Sequence, residues 1–94
     1  MRLTEDQINT IKRSVLYFDN TAKVVLFGSR TDDNKKGGDI DLLIISNTIK
    51  RENIRKIRSK FYEKFGEQKI DLLLDDGSLT DPFKKKAFSN GIQL

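Results

Sequence analysis

Two apolar runs separated by a short polar interval constrain this chain more than any other feature. Val24-Val25-Leu26-Phe27 runs into Gly28-Ser29-Arg30, and Asp39-Ile40-Asp41 opens into Leu42-Leu43-Ile44-Ile45. Both runs have strand length and no helical periodicity. Fewer than a dozen residues join them, too few for a parallel crossover, so they are expected to pair antiparallel. Side chains alternate along a strand. Asp39 and Asp41 therefore share a face, roughly 6–7 Å apart along the chain. Two like charges at that spacing repel by about 3 kcal/mol at an effective dielectric near 20. A cation must compensate them, and a divalent metal does so best.

The flanking segments read as helices and a third strand. Residues 4–19 begin with a capping box of Thr4 and Gln7 and with Leu3 and Ile8 placed for a hydrophobic staple. Ile8, Ile11, Val15 and Phe18 form one stripe at helical spacing, and Asp19-Asn20 ends the helix. Residues 50–65 repeat the pattern with Ile54, Ile57, Phe61 and Phe65 inward and Gly66 as C-cap. The outer face of that helix carries Lys50, Arg51, Arg55, Lys56, Arg58, Lys60 and Lys64. This describes a solvated face, or a surface for an acidic partner or nucleic acid. Lys69 to Leu74 is a third strand, which the long helical connection makes parallel to the second. Asp75-Asp76-Gly77-Ser78 is a turn. Asp81 and Pro82 start a short helix that Asn90-Gly91 ends, and residues 92–94 are too short to place. The expected fold is α+β, a single domain over residues 1–94 with a mixed sheet of three or more strands packed against helices in two layers.

Those connections bring Asp71 of the third strand to the Asp39–Asp41 end, beside Gly28. Three carboxylates and a Gly-Ser turn should then converge at one edge of the sheet, with Gly28 next to Asp39. The chain has no histidine and no cysteine, which excludes zinc sites of nitrogen or sulfur ligands and every Ser-His-Asp or Cys-His nucleophile. An oxygen-only site favours magnesium, manganese or calcium. Magnesium keeps spare positions for substrate phosphates. Gly28 lets a triphosphate approach the backbone. Ser29 is placed to cap a short helix with Asp32 at N3 and aim amides at phosphate oxygens, and Arg30 is placed to pair with a phosphate. A Walker A loop is absent, because no Lys-Ser or Lys-Thr follows a glycine at the required offset. A net charge of +4 suits anionic partners without choosing among them. No targeting or membrane-spanning stretch is evident, which leads to the expectation of a cytoplasmic protein.

With Leu26-Phe27-Gly28-Ser29-Arg30, Asp39-Ile40-Asp41-Leu42-Leu43-Ile44 and Ile70-Asp71-Leu72 in place, the chain resembles a minimal nucleotidyltransferase of the DNA polymerase beta superfamily. The resemblance implies that Asp39 and Asp41 bind two magnesium ions. It implies that Asp71 holds the catalytic metal and helps to deprotonate an attacking hydroxyl, while Gly28 and Ser29 cradle the triphosphate of ATP. Small stand-alone members are commonly encoded beside a helical partner of the HEPN type and act as antitoxins that transfer AMP to a tyrosine on it. This chain departs from the family at Gly38, where a serine is frequent. Two functional classes follow: a magnesium-dependent adenylyltransferase acting on a partner-protein hydroxyl, and a binding module that masks its partner by docking. A small-molecule or RNA acceptor is a further alternative. An antibiotic-modifying enzyme needs a substrate domain that a chain of this length does not supply.

Overall fold

The computed structural model describes residues 3–31, 38–66 and 68–94. Helix α1, Glu5–Phe18, starts where Thr4 accepts from the Gln7 N–H and the Gln7 side chain accepts from the Thr4 N–H, both at 3.0 Å. These bonds satisfy two groups that a helix start would otherwise leave unpaired. Asp19 caps its C-terminus. Strand β1, Lys23–Phe27, passes into a 3-10 turn, Gly28–Thr31. Strand β2, Ile40–Ile45, leads to helix α2, Arg51–Phe65, which ends at Gly66 with φ +69°. That backbone conformation is the reason a glycine stands there. Strand β3, Ile70–Asp75, is followed by helix α3, Pro82–Asn90, with Asp81 as N-cap accepting from the Phe83 and Lys84 amides.

The sheet order is β3-β2-β1-β4, with β1 antiparallel to β2 and β2 parallel to β3, as the connection lengths require. The fourth strand is Ile92–Gln93, paired antiparallel with β1. These are residues the sequence reading leaves unplaced. Two residues carry no readable periodicity, and this strand exists because α3 returns the chain beside Val25 and Leu26. Gly91 makes that return possible, since an added Cβ there would meet Ala87 O at 2.6 Å and Leu26 O at 2.7 Å.

Burial follows the strand alternation. Val24, Leu26, Ile40, Leu42, Ile44 and Ile70 pack on one face against Ile11 and Val15 of α1 and Ile54, Ile57 and Phe61 of α2. Val25 and Leu43 point to the other face, where Ala87 and Phe88 of α3 partly cover them. Both faces of β1 and β2 are therefore apolar, as their continuous hydrophobic runs indicate. Among the described residues only the α1–α2 side is a full helical layer. The expected stripe residue Phe65 lies at the margin of that core, half-buried.

Strand limits shift by one residue from the sequence expectation. β2 begins at Ile40, not Asp39, and β3 runs from Ile70 to Asp75, not Lys69 to Leu74. Ladder bonds set these limits: the Ile40 N–H donates to Lys69 O at 3.1 Å and the Ser46 N–H to Asp75 O at 2.9 Å. Among the described residues no helix is long and apolar enough to cross a membrane.

Candidate active site

The parallel register sets Asp41 directly beside Asp71. Their strand neighbours Ile40, Leu42, Ile70 and Leu72 belong to the α1–α2 core, so both aspartates project to the opposite, α3 face of the sheet. Phe27 is the antiparallel partner of Asp41 and shares that face. Its ring meets Phe83 at the start of α3 edge-on, with centroids 5.9 Å apart. Phe83 is 62% exposed. The sheet end thus presents two carboxylates flanked by an accessible aromatic ring, a pairing that strand periodicity does not reveal because it depends on where α3 docks.

The sequence expectation set Gly28 beside Asp39. The register opposes Phe27 to Asp41, and the side chain nearest the glycine is that of Asp41. A Cβ on Gly28 would overlap Oδ2 of Asp41, and its φ of +78° is one that side chains disfavour. Connection length fixes which strand ends are neighbours, but not the register. Gly28–Thr31 then turns as a 3-10 helix, closed by the Thr31 hydroxyl donating to Gly28 O at 2.7 Å. Of Ser29 only the backbone is described. The proposed N3 partner Asp32 lies outside the described residues, as does the interval 32–37.

Arg30 reaches across the site entrance and donates to Gly38 O at 3.3 Å and Gln68 Oε1 at 3.1 Å. It ties together the residues that precede Asp39 and Asp71. Asp39 stands one residue before β2, with its carboxylate 3.5 Å from Lys69 Nζ. Sequence reasoning did not single out Lys69 or Gln68. The signal was their place immediately before Ile70-Asp71, where parallel pairing must bring them to Asp39.

Burial pushes the Asp41 carboxyl above its ordinary value, and the charges of Asp71 and Asp39 push it further. Its hydrogen bond with Asp71 acts in the same direction, and the charge of Lys69 opposes it. All three carboxylates therefore share one electrostatic environment, although Asp39 pairs with Lys69 and among the described residues no three acidic side chains form a ready-made metal cage. The donor set fits a hard divalent cation: it is all oxygen, partly desolvated and mutually repelling.

The profile of the family described as polymerase beta nucleotidyltransferase matches residues 9–94. The chain belongs to the polymerase beta nucleotidyltransferase family. A search among curated proteins found no match.

Proposed function

We propose that the chain is a magnesium-dependent adenylyltransferase that moves AMP from ATP to a hydroxyl of a partner protein. The observation that carries this reading is the in-register pair Asp41–Asp71, held against the side-chain-free Gly28 and electrostatically coupled to Asp39. Asp39, Asp41 and Asp71 are the residues to hold magnesium, with two ions suiting the family's chemistry. Magnesium bound there supplies charge neutralisation for the triphosphate and acidifies the attacking hydroxyl. Gly28 and Ser29 offer backbone amides to phosphate oxygens, Arg30 adds positive charge at the same turn, and the exposed ring of Phe83 offers a stacking surface for the base.

In the transfer, the acceptor oxygen forms a bond to the α-phosphorus and the bond from that phosphorus to the bridging oxygen breaks. Pyrophosphate leaves with the electron pair, and the hydroxyl proton passes toward Asp71. With no histidine in the chain, Asp71 is the best placed base. A partner of the HEPN type, encoded nearby and neutralised by the modification, suits a domain with a nucleotide site and little remaining surface to enclose an acceptor. The cytoplasm is the fitting compartment. A docking antitoxin without transfer is the second reading, favoured by the strongly basic outer face of α2.

The test is incubation with α-labelled ATP and the product of the adjacent gene, in magnesium and in EDTA. Label should enter the partner only with magnesium. Stable complex formation without label in either condition would leave docking as the function.

A further inference from the structure

β3 is an edge strand, and its exposed edge is set in a basic groove. Lys69 O and Asp75 O accept from β2. Alternate residues of a parallel ladder bond the same neighbour, so positions 69, 71, 73 and 75 face β2. The N–H and C=O of Leu72 and Leu74 therefore point away from the sheet. Lys84 Nζ donates to the Leu74 carbonyl at 2.8 Å, which confirms that direction. Leu72, Leu73 and Leu74 are half-buried, while their β2 counterparts Leu42, Leu43 and Ile44 are fully buried.

A groove of about 400 Å³ runs along this edge. Arg51, Arg55 and Arg58 line its α2 side, Lys84 its α3 side, and Leu72 and Leu74 its floor. No acidic side chain among the described residues lines it. A lysine set against an edge strand, as Lys84 of α3 is here, can serve simply to block pairing. Here three arginines accompany it, all on the one flank where alternate side chains of an added strand would lie.

We propose that this groove binds an extended acidic segment of another protein, which adds to β3 as a fifth strand. Such a segment supplies N–H donors to the Leu72 carbonyl and carbonyls to the Leu72 and Leu74 amides. Its acidic side chains on the α2 side meet Arg51, Arg55 and Arg58. A second copy of this chain is disfavoured, because edge-to-edge pairing would set two basic rims against each other. Nucleic acid fits less well: its phosphates accept hydrogen bonds but donate none to the Leu72 carbonyl, and among the described residues no exposed aromatic ring lines the groove for stacking. The inference does not depend on nucleotidyl transfer.

The probe is a blocked nine-residue peptide alternating glutamate and valine, titrated into the full chain without nucleotide. Amide exchange by NMR should slow at Leu72 and Leu74. In Arg51→Glu/Arg55→Glu, both positions being exposed, affinity should fall at least tenfold with the thermal unfolding midpoint retained. A lysine–valine peptide should recover binding to that double variant. The proposal is overturned by absence of binding, or by binding without protection at those two amides. It is also overturned if oligouridylate protects the same amides more strongly, or if the free protein dimerises through β3.

Discussion

At the scale of the residue, Gly28 is a position that tolerates a side chain poorly. Its φ of +78° and the overlap that a Cβ would make with Oδ2 of Asp41 act together. The left-handed backbone alone costs a side chain roughly 1–2 kcal/mol. Gly28→Ala should therefore lower stability by at least that amount, read in urea unfolding. It should also weaken magnesium–ATP binding in calorimetry, because relieving the overlap displaces a proposed ligand. Unchanged nucleotide affinity would show that Asp41 can move freely and that the turn is no cradle. The three aspartates were legible from their spacing, because alternation and connection length suffice to bring them to one end of a sheet. The pairing of Asp39 with Lys69, the reach of Arg30 to Gln68 and the Phe27–Phe83 contact were not. Each joins residues whose proximity depends on register or helix docking, which no local pattern encodes.

At the scale of the element, the junction between α1 and β2 carries an acid-sensitive contact remote from the active site. Asp19, the C-cap of α1, accepts from Ser46 Oγ at 2.6 Å and from the Thr21 amide and hydroxyl at 2.9 and 2.7 Å. Ser46 Oγ in turn accepts from the Thr48 and Ile49 amides at 3.1 and 2.9 Å. The hydrogen bond from Ser46, aided by those from Thr21, lowers the Asp19 carboxyl from 3.8 to about 2. A depressed folded-state value means the contribution is fully present above the unfolded value and is lost as pH falls toward the folded one. The stability it adds should decline between about pH 4 and pH 2. Asp19→Asn should remove that part of the pH dependence, measured by urea unfolding at pH 5 and pH 3. An identical pH slope in the variant would assign the acid sensitivity elsewhere. Helix starts and stops were readable because caps are local chemistry: Thr4, Gln7, Gly66, Asp81 and Pro82 each act on backbone groups within a few residues. β4 was unreadable for the converse reason, since its pairing partner is Val25–Leu26, far along the chain.

At the scale of the whole molecule, enzyme and docking module make opposite demands on Asp71. Its partner Asp41 is restrained by β1, β3 and the Gly28 turn, and Asp39 completes the set proposed to carry a metal–triphosphate. Asp71 comes from the edge strand and is the group proposed to accept the hydroxyl proton. Asp71→Asn is nearly isosteric and relieves repulsion with Asp41, so the fold and the basic groove along β3 should persist. The loss of a positioned base and metal ligand should reduce transfer by at least about a hundredfold. Magnesium–ATP binding, which the proposal assigns mainly to Asp39, Asp41 and the glycine turn, should fall far less. Co-expression with the proposed partner then separates the two functions: if transfer neutralises it, cells carrying Asp71→Asn lose protection although the complex still co-purifies. Full protection by a variant with no detectable transfer would make docking the biological activity, with the basic face of α2 and the β3 edge as its surface. Loss of both protection and co-purification would instead show that Asp71 supports the interface itself, and a second variant, Asp41→Asn, would then test whether the metal site and the docking surface can be uncoupled.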